Sequence, residues 1–122
     1  MLEKEFIPYE QALALKELGF DEPCFAFYFA GGIRFKQYKD SQNKNSAFYN
    51  DTVCSVPTYS QAFRWFREKY DLRSWIESFN KTNYKAVILN HYGSTFNSNE
   101  EAELECLIKL IEITKVQEIN RR

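Results

Sequence analysis

The sequence predicts an α+β fold in which small antiparallel hairpins alternate with helices. An aromatic run at residues 24–29 is followed by two glycines and an alternating segment, which is the pattern of a β-hairpin. A second pair of strand-like segments flanks a polar turn at residues 80–83. Capping patterns at Thr58 and Ser98 precede two helical segments. The predicted order is therefore helix, β-hairpin, helix, β-hairpin, helix, with a small antiparallel sheet.

The composition indicates one folded domain that holds together without disulfides. The chain has 122 residues, of which 44% are hydrophobic and 17% are aromatic. This length is typical of one domain with its own core, and we expect the domain to span residues 1–122. The three cysteines show no CxxC spacing, which favours reduced thiols in a cytosol. Because the aromatic content exceeds the needs of one small core, we expect some rings at the surface.

Charge and hydropathy limit the classes of partner. The formal net charge is −1, from 16 basic and 17 acidic residues, so the chain lacks the overall positive field of many nucleic-acid-binding proteins. A local basic patch is compatible with this balance. The N-terminal residues are charged, and no apolar run approaches the ~18 residues of a membrane span. We therefore expect a cytoplasmic protein that makes no membrane contact.

The first half of the chain is predicted to contain one helix and several strands. Pro8 suits the first turn of the helix, and Gly19 supplies the left-handed residue that ends it. Residues 39–45 are all polar and are predicted to form a loop. The predicted strands span residues 24–29, 33–38, 47–49 and 53–56.

The second half begins with a strongly patterned helix. Thr58 is a favourable N-cap, and the helix is predicted to extend to Tyr70. Its predicted buried face comprises Tyr59, Ala62, Phe63, Phe66 and Tyr70. The following hairpin is predicted from residues 72–79 and 84–89, and residues 90–97 are predicted to form a loop.

The last helix is predicted to begin at Ser98 or Asn99 and to end near Val116, followed by a frayed polar tail. Its apolar residues form two stripes on nearly opposite faces. One stripe comprises Leu104, Leu107, Ile108 and Ile111, and the other comprises Ala102, Cys106, Leu110 and Ile113. Such a helix either lies between layers of its own fold or meets a partner with one stripe, which leaves a homo-oligomer through the last helix as an alternative.

No set of residues predicts catalysis, a metal site or a cofactor. His91 is the one histidine and belongs to no metal-binding motif, so it is interpreted as a loop residue without a chemical role. Nothing in the sequence places Cys54 beside it as a nucleophile. The acidic residues at 100–105 complement the positive end of a helix, and Glu105 is spaced to pair with Lys109.

The strongest candidate for a functional surface is a segment in which basic and aromatic residues are interleaved. Arg and Trp dominate the hot spots of protein interfaces, and the same mixture can stack bases and neutralise phosphates. The predicted surface comprises Arg64, Trp65, Arg67, Lys69, Arg73 and Trp75, extended by Arg34, Lys36 and Lys39 on the first hairpin and its loop. The alternative interpretation is an amphipathic helix with a solvated charged face.

Three segments carry a family resemblance: IPYEQALALKELGFDEPC at residues 7–24, PTYSQAFRWFREKY at residues 57–70, and EEAELECL at residues 100–107. Together they resemble a family of small proteins encoded in phages and prophages of Bacteroidetes-type bacteria. The segments span much of the chain. Residues 28–56 and the second hairpin resemble the family less, so we expect specificity to lie there.

The resemblance implies a phage setting rather than a particular activity. Small phage proteins without catalytic sites commonly bind and disable host machinery, and anti-CRISPR proteins do so by contacting an RNA-guided effector or by disturbing its guide-RNA binding. The leading hypothesis is a non-enzymatic protein that inhibits a host defence complex, with a host protein or ribonucleoprotein as partner and RNA as a further candidate. The alternatives are a self-associating phage accessory or regulatory protein and a small single-stranded nucleic-acid-binding module.

Overall fold

Three α-helices and six β-strands form the described part of the chain, which comprises residues 2–29, 32–35 and 53–120 of a computed structural model. This confirms the predicted α+β class. The strands form two three-stranded antiparallel sheets rather than one, because the strands of each half pair only with one another. The chain divides into two compact units, Met1–Thr58 and Tyr59–Arg122.

Helix α1 spans Tyr9–Glu17 and ends as the sequence predicts. Gly19 has a φ of 95°, in the left-handed region that glycine adopts without a Cβ clash. Its N–H donates to the Lys16 carbonyl at 3.1 Å, and the Phe20 N–H donates to the Leu15 carbonyl at 2.9 Å. These two bonds form a Schellman motif, which satisfies carbonyls at the end of the helix. Leu15 and Phe20 are both buried, so the turn is also held by apolar packing.

The sheet of the first unit has β1 (Ala26–Phe29) at its centre, between β2 (Gly32–Phe35) and β3 (Val53–Val56). Both pairings are antiparallel. Each predicted strand that falls on described residues is confirmed, and β1 begins two residues later than predicted. The strand predicted at residues 47–49 and the loop predicted at residues 39–45 lie outside the described residues.

Aromatic contacts attach the N-terminal segment to this sheet. The Phe6 and Phe35 rings meet edge to face with centroids 5.3 Å apart, and the Tyr9 and Tyr28 rings do so at 5.2 Å. The Tyr28 hydroxyl donates a hydrogen bond of 3.3 Å to the Ile7 carbonyl. Part of the high aromatic content therefore fixes the start of the chain against the first sheet.

The second unit begins with helix α2 (Tyr59–Tyr70), as predicted. An antiparallel meander follows, with β5 (Asn83–Ile88) between β4 (Ser74–Asn80) and β6 (Tyr92–Phe96). The predicted hairpin is confirmed, and its turn lies between β4 and β5 as expected.

The loop predicted at residues 90–97 is wrong for the five residues that form β6. Alternate residues of β6 are half-buried and exposed, which is the pattern of a strand with one covered face. Glycine, serine and asparagine in this segment are typical of turns and favoured the loop prediction. Asn90 allows the chain to reverse because it adopts a φ of 67°, and the His91 N–H closes the turn on the Ile88 carbonyl at 2.9 Å.

Helix α3 spans Asn99–Asn120. Its predicted cap is confirmed, since Ser98 Oγ accepts a hydrogen bond from the Glu101 N–H at 3.2 Å and lies 3.5 Å from the Glu101 carboxylate. The predicted end near Val116 is wrong, because residues 117–120 contain neither glycine nor proline and continue the helix. In the described part of the chain, no helix combines the length and apolar character needed to cross a membrane.

The buried face of α3 draws residues from both predicted stripes. The helix contacts all three strands of the meander and also α2. It therefore packs against both the sheet and α2 of its own unit through one broad arc, rather than on the two opposite faces that the stripes predicted. The buried residues are Ala102, Cys106, Leu107, Leu110, Ile111 and Thr114.

Removal of the cap should weaken α3. Ser98→Ala deletes the acceptor for the Glu101 N–H and is expected to lower the free energy of unfolding by about 1 kcal/mol. Ser98→Asp keeps an acceptor and is expected to unfold within about 0.5 kcal/mol of the wild type. Urea denaturation followed by circular dichroism measures both, and equal stability of Ser98→Ala and the wild type would contradict the capping role.

Candidate protein-binding surface

The predicted basic residues of α2 lie on two different sides of the helix. Arg64 and Arg67 are exposed, and Arg64 Nε lies 3.6 Å from Glu68 Oε1. Lys69 comes two residues after Arg67, so it lies about 200° further around the helix. Its Nζ lies 5.0 Å from the centroid of the Trp65 ring. Helix α2 therefore does not present one continuous basic strip.

Trp65 is a core residue, which corrects its placement in the predicted surface. Its side chain is 5% exposed, and its ring meets the rings of Phe66 and Tyr70 edge to face at 5.1 and 5.5 Å. Ala62, three residues earlier on the same side, is fully buried. The buried part of the α2 surface is therefore wider than the predicted face, because it also includes Trp65. The spacing of Ala62 and Trp65 is the sequence signal that indicates this.

Arg73 and Trp75 are exposed at the start of β4, as predicted. Arg73 Nη2 lies 3.2 Å from Asp71 Oδ1. The Trp75 side chain is 38% exposed, and its Nε1 donates a hydrogen bond of 2.8 Å to Glu77 Oε1. Both side chains are therefore oriented by a neighbouring carboxylate.

The remaining predicted residues belong to the first unit. Arg34 is exposed on β2, and its guanidinium lies beside Gly32. Lys36 and Lys39 lie outside the described residues. The described part of the predicted surface is thus divided between the two units.

The meander of the second unit has one covered face and one open face. Residues that pair across an antiparallel sheet point to the same side. Ile76 pairs with Ala86 and Ser74 pairs with Ile88, and Ala86 and Ile88 are fully buried on the side that α3 covers. The six residues of the opposite side, named here the Trp75 face, are Trp75, Glu77, Lys85, Val87, Gly93 and Thr95.

The Trp75 face has an apolar centre. Trp75 pairs with Val87, which in turn pairs with Gly93. Val87 is half-buried, and the aliphatic part of the Lys85 side chain lies over Gly93, with its Cε 3.4 Å from the place that a Cβ would occupy. Leu89 is 46% exposed, and its N–H donates to the Arg73 carbonyl at 2.8 Å, which carries the β4–β5 pairing beyond Val87.

The margin of the Trp75 face carries charges of both signs. Glu77 pairs with Lys85 across β4 and β5, and Lys85 pairs with Thr95 on β6. Opposite charges at directly paired positions stabilise a sheet. An apolar centre with a polar, mixed-charge margin is the usual anatomy of a protein–protein interface.

A groove of about 460 Å³ lies between the β5–β6 turn and the C-terminal half of α3. Lys109 Nζ lies 3.1 Å from Glu112 Oε2 and 5.7 Å from the centroid of the Tyr92 ring. The pairing of Lys109 with Glu105, predicted from their spacing, is replaced by this contact. The sequence gives no signal for the groove, because only the fold brings its two sides together. Its lining includes His91, Tyr92, Lys109, Ile113 and Val116.

The three cysteines are buried and free of disulfides. Burial raises the pKa of the Cys54 thiol, against a smaller opposing effect of the Lys16 charge. Burial also raises the pKa of Cys106 to about 12, although the hydroxyl of Ser74 lowers it. Ser74 Oγ is itself buried and has no oxygen or nitrogen partner. Protonated, buried thiols are weak nucleophiles, so the geometry gives Cys54 no support as a catalytic residue.

Within the described ranges, no cluster of three or more His, Cys, Asp or Glu side chains could hold a metal ion. Comparisons with protein-family models, curated proteins and solved structures gave no match. The surface is therefore interpreted from its own geometry.

The raised pKa of Cys106 predicts a loss of stability at alkaline pH. In the unfolded chain the thiol loses its proton near pH 9.0, whereas in the folded chain it keeps the proton to about pH 12. Between these values the unfolded state binds fewer protons than the folded state. Above pH 9 the contribution of Cys106 to the free energy of unfolding should therefore fall by about 1.4 kcal/mol per pH unit. Below pH 9 this contribution should be independent of pH.

Urea denaturation of the wild type and of Cys106→Ala between pH 8 and pH 11 measures this contribution. All other ionisable groups are common to both proteins, so the difference in stability between the two isolates the contribution of Cys106. The stability advantage of the wild type should shrink as the pH rises. A difference that does not change with pH would show that the thiol pKa is not raised.

Proposed function

We propose that this chain is a non-catalytic binding protein that inhibits a host defence complex by contacting one of its protein components. The observation that carries the proposal is the Trp75 face, an open sheet face with an apolar centre and a charged margin. Tryptophan is among the residues most enriched in interface hot spots. The expected target is an RNA-guided effector in the cytoplasm of a bacterial host.

Charge pairing favours a protein target over a single-stranded nucleic acid. Arg64 and Arg73 lie 3.6 and 3.2 Å from the carboxylates of Glu68 and Asp71. These carboxylates oppose the approach of phosphates, whereas grooves that follow a nucleic-acid backbone are strongly positive. Trp75 likewise lies beside a carboxylate. The margin of the Trp75 face carries both positive and negative charges, which suits a protein partner with complementary charges.

The phage resemblance of the sequence supplies the setting of the proposal. A small phage protein can inhibit an effector by covering the surface on which guide RNA, target DNA or another subunit binds. This mode of action needs an exposed contact face and no catalytic group. The resemblance and the Trp75 face therefore support the same class of activity.

Truncation of the central aromatic residue should weaken inhibition. Trp75→Ala is expected to raise the concentration needed for half inhibition by about thirtyfold, equivalent to about 2 kcal/mol of binding free energy. Ile119→Ala is the matched control, because Ile119 is 68% exposed and belongs to α3 rather than to the Trp75 face. The measurement is target cleavage and guide loading by purified RNA-guided effectors from Bacteroidetes-type hosts, titrated with each variant.

Three outcomes would contradict parts of the proposal. Wild-type protein in excess that leaves guide loading and cleavage unchanged for every effector would refute inhibition. Inhibition that survives Trp75→Ala would move the contact to another surface. Salt-dependent binding of short single-stranded RNA that is lost on joint replacement of Arg64, Arg67 and Arg73 by alanine would favour the nucleic-acid-binding alternative.

A further inference from the structure

The outer edge of β6 is a row of backbone groups that no strand of the described residues pairs with. The order β4-β5-β6 makes β4 and β6 the two edges of the meander. Among the residues that the structure describes, the backbone of β6 pairs with β5 alone. Such an edge is a template for pairing with a further strand unless the sequence blocks it.

Only one of the two edges carries features that block pairing. Strand β4 contains the charged Glu77 and a register shift between Ser78 and Asn80, and both features discourage edge-to-edge association. Strand β6 contains no charged residue and no proline, and its pairing with β5 is continuous. As far as residues 2–29, 32–35 and 53–120 show, the β6 edge is therefore open to a partner strand.

We propose that β6 pairs with β6 of a second copy of this chain, antiparallel and centred on Ser94. This register places Ser94 opposite Ser94 of the second copy, Tyr92 opposite Phe96, and Gly93 opposite Thr95. The two meanders then form one continuous six-stranded sheet. The interface is isologous, so it closes at a dimer. The dimer does not depend on the proposed inhibitory function.

The side chains of β6 are complementary to themselves in this register. Tyr92 and Phe96 are half-buried on the side that α3 covers. Across the two-fold axis, Tyr92 of each copy faces Phe96 of the other copy. Aromatic cross-strand pairs stabilise antiparallel sheets. On the other side Gly93 faces Thr95 of the second copy, and the aliphatic part of Lys85 lies over Gly93 in each copy.

The groove beside Tyr92 provides further apolar surface for the second copy. Ile113 and Val116 line it, and Val116 is 56% exposed. In the proposed register, the ring of Phe96 from the second copy pairs with Tyr92 on the side of the sheet that α3 covers. There it reaches the mouth of this groove. The dimer therefore covers apolar area of α3 in addition to satisfying the backbone of β6.

The symmetry determines where the contact faces lie. An antiparallel pairing across one edge has its two-fold axis perpendicular to the sheet, so both copies of α3 lie on one side. Both Trp75 faces then lie together on the other side. A dimer presents two identical contact faces in the same direction, which allows bivalent binding.

Two measurements test the dimer: sedimentation equilibrium of the wild type, and disulfide cross-linking of single-cysteine variants on the strand edges. The wild type should dimerise with a dissociation constant between about 1 µM and 1 mM. Directly opposed residues lie about 4.5–5.5 Å apart at Cα, within the range of a disulfide. Oxidised Ser94→Cys should therefore form a covalent dimer, whereas Ser78→Cys on the β4 edge should stay monomeric. The native cysteines are buried and should not interfere.

A charge exchange at Thr95, which is exposed, tests the register. Because Thr95 pairs with Lys85 within the monomer, circular dichroism must first show that Thr95→Lys is folded like the wild type. The two copies of Thr95 lie diagonally across the new pair, about 7–8 Å apart. Thr95→Glu and Thr95→Lys should each dimerise several-fold more weakly than the wild type, and an equimolar mixture of the two should recover the dimer.

Specific results would overturn the proposed dimer. A wild type that stays monomeric to about 1 mM would exclude it. A dimer that Ser94→Cys fails to cross-link would exclude the register. Loss of the dimer in Ile119→Glu, with Thr95→Glu unaffected, would assign self-association to α3 instead.

Discussion

The packing of α3 against the meander is the contact on which the second unit depends. Ala86 and Ile88 at the centre of the sheet are fully buried, and so are Leu107 and Leu110 of the helix. Helix α3 contacts all three strands and α2, which buries a broad arc of its surface. Burying several such side chains contributes about 1.5–3 kcal/mol each, so this layer accounts for much of the stability of the unit. A single helix can cover only one face of a sheet.

The open face follows from that constraint and gives the protein its candidate contact surface. The two tryptophans have different roles. Trp65 is 5% exposed and packs in the core, whereas Trp75 is 38% exposed on the open side of β4 and belongs to the candidate contact surface. Glu77 and Lys85, which pair across β4 and β5, give the margin of this face a mixed charge. A protein partner suits such a surface better than a phosphate backbone does. The unblocked edge of β6 adds a way to present two of these faces together.

Local signals predicted the parts of the fold that local physics determines. The cap at Ser98, the turn at Gly19 and the helical spacing of α2 were sufficient to place three helices. Strand β6 is not predicted because Gly93 and Ser94 within it, and Asn90 and Asn97 beside it, are typical of turns and outweigh the strand preference of its aromatic ends. The exposure of Trp75 is not predictable from the sequence, because it depends on which side of β4 faces α3, whereas the spacing of Trp65 from Ala62 does indicate that Trp65 is buried. Sheet register and the groove at Tyr92 likewise arise only when distant segments pack.

Acrylamide quenching of tryptophan fluorescence in the wild type and in Trp75→Phe tests the central claim, that the sheet has one open face on which Trp75 is exposed. The chain contains two tryptophans, so the variant leaves the emission of Trp65 alone. Trp75→Phe should remove a red-shifted, readily quenched component and leave a blue-shifted emission that acrylamide quenches weakly. Residual emission that is quenched as strongly as in the wild type would contradict the placement of Trp65 in the core and Trp75 on the open face.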